Sequence, residues 1–156
     1  MEEDEKTEDV IYHKMAFLCS KSEQCSPDIL KKIKEYGGTD LMVQEIIGRL
    51  KKENYLDDLR FVKMYVNEKF KINKWGRIKI HYYLNMKGLK EDIIQAGLNE
   101  INEEDYITLL VQTMKDKAGS INKPGKYEKM GQIIRFAQSR GFEPGLIHKY
   151  LNQVIS

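Results

Sequence analysis

Asp57 and Asp58 are the side chains whose type and adjacency could do acid–base or metal chemistry. Neighbouring positions on a helix point about 100° apart, so the two carboxylates do not converge on one ion. An aspartate just before a helix instead accepts backbone N–H bonds, and a second acid suits the positive end of the dipole. Asp57 is therefore expected as an N-cap. Cys19 and Cys25 are too few for a disulfide framework and two ligands short of a zinc site, and His13, His81 and His148 are far apart. The sequence has no H-E-x-x-H, C-x-x-C, Gly-rich phosphate loop or G-x-S-x-G elbow. No catalytic residue, metal or cofactor is expected. Trp75, Tyr82 and Tyr83 are of a type that stacks on bases, but helical spacing places Tyr83 in the core.

The cationic side chains carry a stronger signal. Residues 60–90 hold nine bases against Glu68, and residues 1–9 hold six acids against Lys6, although the formal net charge of the whole chain is only +2. A basic middle behind an acidic leader points to an anionic partner. Arg60, Lys63 and Lys71 share one flank of a helix, Lys74 follows in the turn, and Arg77, His81 and Asn85 form a polar stripe on the next helix. Such stripes would meet either phosphates, which give affinity without reading sequence, or an acidic protein groove.

These residues need elements to position them, and every segment reads as helix. Apolar residues recur at helical spacing, and no stretch of four to eight residues alternates as a strand would. Ile11, Met15 and Leu18 mark a first helix. Ser26-Pro27-Asp28 opens a second, with Ser26 as cap, and Gly37-Gly38 closes it. Thr39 or Asp40 caps a third. The helix after Asp57 turns Leu59, Phe61, Val62, Tyr65, Val66 and Phe70 to one side. Trp75-Gly76-Arg77 leads into a helix ending at Gly88, and another runs from about Lys90 to Glu100. Asn102 to Asp105 starts a long helix, Lys123-Pro124-Gly125 breaks the chain, and Arg140-Gly141 separates the last pair, with Pro144 at the first position of the final helix.

A repeat emerges when Gly38, Gly88 and Gly141 are superposed, with spacings of 50 and 53 residues. Leu30 and Ile33, Ile80 and Tyr83, and Ile133 and Phe136 precede them at the same offsets. Ile46 and Leu50, Ile94 and Leu98, and Ile147 and Leu151 follow, the first pair after two extra residues. The expected fold is all-α: three tandem three-helix repeats stacked into an elongated curved array. The expected divisions are a disordered acidic leader over residues 1–9 and repeats over 10–54, 55–101 and 102–156.

The 156 residues are 41% hydrophobic and 32% charged, enough to bury a core. No apolar run approaches the length of a membrane span, and the acidic N-terminus lacks the pattern of a signal peptide. A cytoplasmic chain without membrane association is expected, and a monomer satisfies the repeat.

The run from Tyr55 to Val66, followed by Trp75-Gly76-Arg77-Ile78-Lys79-Ile80 and Leu84-Asn85-Met86-Lys87-Gly88-Leu89, resembles the signature of the RecX regulatory proteins. Val62 stands where that family usually has Ala, and Leu89 where Ile is common. Both departures keep an apolar side chain and bear on packing. The resemblance extends from about Val10 to Ile155 and implies a curved array of three-helix repeats. It also implies a regulator of recombination and the SOS response that binds the RecA filament on single-stranded DNA and inhibits its growth, ATPase and strand exchange, with no catalysis of its own. Free single-stranded DNA would be bound weakly, or only within the filament. Asp57, Asp58, Phe61, Tyr65, Gly76, Leu84 and Gly88 are then structural motif residues, and Arg60, Lys63, Lys71, Lys74, Arg77, Lys79 and Lys87 the partner- or DNA-facing surface. The alternative is a sequence-independent single-stranded DNA-binding module that competes for the strand.

Overall fold

The computed structural model describes residues 2–122 and 125–155. Among these residues nine helices and no strand follow one another: α1 (Glu2–Lys21), α2 (Ser26–Glu35), α3 (Asp40–Lys52), α4 (Asp58–Lys71), α5 (Arg77–Lys87), α6 (Glu91–Leu98), α7 (Glu103–Gly119), α8 (Lys126–Ser139) and α9 (Pro144–Leu151). The break expected at Lys123-Pro124 lies outside the described residues, and α8 opens after Gly125.

Side-chain caps set three of the helix starts among the described residues. Asp57 accepts the Arg60 amide at 3.1 Å, Thr39 that of Met42 at 3.2 Å and Asn102 that of Asp105 at 3.0 Å, each satisfying an amide without an intrahelical partner. Ser26 is not a cap, contrary to the sequence reading. Cys25 holds the cap position without a side-chain bond, and Ser26 is the first helical residue. The acidic leader falls within α1, which begins at Glu2 and carries four acids in its first turn, where they suit the positive end of the helix. Asp9 lies 3.5 Å from Arg49 on α3, an exposed pair.

α1, α2 and α3 pack on one another, as do α4, α5 and α6, and then α7, α8 and α9. Each triplet closes through a left-handed glycine before or at the turn into its third helix: Gly37 (φ +86°), Gly88 (φ +94°) and Gly141 (φ +94°). Glycine adopts this region without the steric penalty a Cβ brings. The first repeat thus aligns on Gly37, one residue earlier than expected. Eight and four residues before these glycines stand Ile29 and Ile33, Ile80 and Leu84, and Ile133 and Ala137, all with 0% exposure. Leu30 and Tyr83, which the sequence alignment turned inward, are exposed.

The apolar interior forms two clusters. One lies within α1–α3 and takes in Leu56. The other runs without interruption through α4–α9 and takes in Cys25. The second and third triplets share a core, whereas the first keeps its own.

Candidate partner-binding surface

α4 positions most of the basic residues. Its inner side buries Phe61, Val62, Val66 and Phe70, with Tyr65 half-buried and stacked on Phe61 at 6.0 Å between centroids. Arg60, Lys63, Asn67 and Lys71 occupy the exposed flank, as the helical spacing requires. A furrow follows this flank. Lys63, Asn67 and Lys71 face Gly97, Glu100 and Ile101, then Phe70, Lys71 and Lys74 face Asp105, Leu109 and Gln112 of α7. Lys74 continues it toward Thr113, Asp116, Phe136 and Arg140. Lys74 sits in the left-handed region at φ +59°, which turns the chain sharply between α4 and α5.

The furrow carries both signs of charge. Lys63 pairs with Glu100 at 3.0 Å across an exposed gap, a contact of at most about 1 kcal/mol. Among the described residues, Lys71, Lys74 and Arg140 have no carboxylate within pairing distance. Arg140 lies 4.9 Å from the centre of the Phe136 ring, and Lys117 lies 5.1 Å from it. Neither was placed on this surface from sequence, because the end of α8 brings Arg140 beside Lys74, and Phe136 beside Lys117 of α7, only through tertiary packing.

Other basic residues of the expected surface hold the array together. At the second junction, Arg77 pairs with Glu143 at 2.8 Å and with Glu103, and its guanidinium lies 3.8 Å from the centre of the buried Tyr106 ring. The Arg77 amide donates to the Tyr106 hydroxyl at 2.9 Å, and that hydroxyl donates to Glu143. The carboxylates outweigh the effect of burial and push the Arg77 guanidinium above its already high ordinary value, so it stays charged. Gly76 and Ile78 donate their amides to the Arg140 and Gly141 carbonyls at 2.7 and 2.9 Å. The third triplet therefore caps α5, which has no side-chain cap of its own. A methyl group on Gly76 would collide with the backbone of Gly141 and Phe142.

The first junction uses the same parts with different side chains. Asp58 accepts from the Ser26 amide at 2.7 Å and its hydroxyl at 3.0 Å, which caps α2 across the joint. Gly88 sits against Pro27, as Gly141 sits against Gly76 and Lys79. Arg60 pairs with Glu23, and Lys87 with Asp28 at 3.0 Å. Burial raises the Asp28 carboxyl, but hydrogen bonds from Lys87 and Cys25 together with the Lys87 charge bring it below its usual range. Burial pushes the Cys25 thiol up to about 12.

Lys79 completes the expected set. It lies 4.6 Å from the centre of Trp75, which stacks on Tyr83 at 5.2 Å. Tyr83 is 41% exposed, so its expected place in the core is corrected: the buried face of α5 belongs to Ile80 and Leu84. Among the described residues no cluster of His, Cys, Asp or Glu could hold a metal ion, and no helix is long and apolar enough to cross a membrane.

Residues 57–98, which span α4 to α6, match the family description "RecX, second three-helix domain". The chain is 27% identical over 140 residues to the regulatory protein RecX of Clostridium acetobutylicum, covering 87% of this chain and 64% of that protein. Against the regulatory protein RecX of Clostridium perfringens it is 28% identical over 125 residues, covering 79% and 58%. It therefore spans somewhat less than two thirds of the length of these relatives. A crystal structure of RecX from Lactobacillus salivarius superposes with a TM-score of 0.89 at 16% identity, covering 96% of this chain and 97% of that one. A second crystal structure of a regulatory protein RecX gives 0.86 at 19% identity, covering 96% and 73%. At these identities the two structures establish the all-helical fold.

Proposed function

The chain belongs to the RecX family, and from that premise we propose that it is a cytoplasmic regulator that binds the RecA filament on single-stranded DNA. It restrains filament growth, ATPase and strand exchange, modulating recombination and the SOS response, and it does so by occupancy, without catalysis of its own. The observation that carries this reading is the furrow along α4 and α7. It crosses two helix triplets, exposes Lys71 and Lys74 without a carboxylate partner, and alternates them with Glu100, Asp105 and Asp116. A surface of alternating sign suits a protein partner of complementary pattern better than a uniformly anionic polymer.

The seven basic residues then divide. Lys71, Lys74 and Lys79 are free to meet a partner, and Lys63 is released from Glu100 at little cost. Arg60, Arg77 and Lys87 present the surface by fixing the junctions. The working repeats are 10–54, 55–101 and 102–156, supported by the grouping of the helices and by the parallel use of Gly88 and Gly141. The working assembly is a monomer.

The test is co-sedimentation with cognate RecA filaments formed on single-stranded DNA, comparing the chain with its Lys71→Glu/Lys74→Glu variant. Both positions are exposed, so helicity and melting are expected to stay unchanged while retention falls at least tenfold, as for two lost interfacial charge pairs. Equal retention of the variant would remove the furrow from the interface.

A further inference from the structure

Lys69 and Lys79 both lie over the Trp75 ring, with their ammonium groups 5.1 and 4.6 Å from its centre. Tyr83 stacks on Trp75 with an interplanar angle of 29°, and Tyr82 meets Tyr83 edge-on at 5.2 Å. Tyr82 is 56% exposed and Tyr83 41%, and Met86, one turn on from Tyr82, is 64% exposed. α5 therefore turns an aromatic stripe to the solvent while Ile80 and Leu84 fill the core. Among the described residues neither Lys69 nor Lys79 has a carboxylate within 4.0 Å.

We propose that Tyr82 and Tyr83, with Trp75 stacked behind Tyr83, form a stacking platform for unpaired bases of a single-stranded nucleic acid, with Lys69 and Lys79 meeting the flanking phosphates. An unpaired base offers a flat face that an exposed ring covers, whatever the base, and a phosphate supplies the anion the two ammonium groups lack. A duplex has its bases already stacked and offers only phosphates. The rings stand on α5 and the turn before it, locked by the second junction, so little ordering remains to be done on binding. The platform uses different lysines from the furrow between α4 and α7, and a regulator seated on a filament would hold protein and strand with separate surfaces. In that sense the inference rests on the regulatory reading and deepens it.

Trp75 is the only tryptophan in the chain, so its fluorescence reports this site alone. The full chain is titrated, without RecA, with an oligothymidylate of about 16 nucleotides, an abasic deoxyribose-phosphate strand of equal length and a polyglutamate peptide. Oligothymidylate is expected to quench Trp75 and to bind at least tenfold tighter than the abasic strand. Tyr82→Leu and Tyr83→Leu are each expected to weaken it about five- to hundredfold. Lys69→Gln/Lys79→Gln is expected to flatten the salt dependence by a slope of about 1.4. Tyr82 is 56% exposed, so its variant keeps the test open if Tyr83→Leu fails to fold. Equal binding of the abasic strand, unchanged affinity in both tyrosine variants, or polyglutamate binding as tightly as the oligonucleotide would each overturn the platform. None of these results depends on RecA, so the regulatory reading stands or falls separately.

Discussion

The guanidinium of Arg77 lies over the buried ring of Tyr106, 3.8 Å from its centre, while the amide of the same residue donates to the Tyr106 hydroxyl. One residue at the start of α5 thus holds both the face and the edge of a ring that belongs to the third triplet. Glu103 and Glu143 neutralise the charge from two sides. Arg77→Met is expected to lower unfolding free energy by about 1–3 kcal/mol, since it leaves a half-buried Glu143 without its guanidinium partner. Urea unfolding followed by circular dichroism measures it. Tyr106→Phe, which leaves the ring in place, is expected to cost about 1 kcal/mol.

Glycine substitutions separate close approach from helix propensity. Gly76→Ala drives a methyl group into the Gly141 and Phe142 backbone, with no flexible side chain to give way, and is expected to cost more than about 2 kcal/mol. Gly48, inside α3, has open space around its missing Cβ. Gly48→Ala is expected to stabilise the chain by about 0.5–1 kcal/mol. Opposite shifts in melting temperature for two Gly→Ala changes would show that the second junction is set by backbone contact.

The sequence made the helices, their order and two of the three left-handed glycines, Gly88 and Gly141, readable, because capping side chains, apolar spacing and helix-ending glycines act locally. The register of the first repeat shifted by one residue, since Gly37 and Gly38 are adjacent and only the backbone shows which has positive φ. Asp58 was legible as a helix-start acid but not as the cap of α2, because that bond joins residues 32 positions apart. The basic surface was legible as composition, not as pairing. Arg60, Arg77 and Lys87 meet acids at Glu23, Glu103, Glu143 and Asp28 that no spacing rule connects to them. Tyr83 was misplaced because an aromatic residue at helical spacing reads as core, whereas Ile80 and Leu84 already fill that face.

The first junction carries its own pH dependence. The Asp28 carboxyl is held below its ordinary 3.8, so its stabilisation is present above that value and is lost as pH falls through the lower folded-state value. Lys87 is held above its ordinary 10.5 by its bond to Asp28, which outweighs the opposing effect of burial. Its contribution is present below that value and is lost as pH rises through the folded-state value. Between these limits the joint is closed. The melting-temperature gap between the chain and Lys87→Gln is expected to stay constant from about pH 5 to pH 9 and to shrink in more acid solution. A gap that changes through neutral pH would mean that other groups control the junction.

Cys25 reports opening of the same joint. Its thiol is fully buried, sits in the core shared by α4–α9 and is pushed up to about 12, so alkylation near neutral pH requires the junction to part. Asp28→Asn is expected to speed alkylation of Cys25 several-fold while leaving that of Cys19, in the separate core of α1–α3, nearly unchanged. Parallel acceleration at both thiols would indicate global unfolding.

The central claim, regulation of the recombinase by a surface and not by chemistry, is tested most directly by the single-strand-dependent ATPase of cognate RecA titrated with this chain. Inhibition is expected well below one copy per RecA, and it is expected to be lost in Lys71→Glu/Lys74→Glu at unchanged melting temperature. An ATPase that is unaffected even at one copy per RecA would contradict the account.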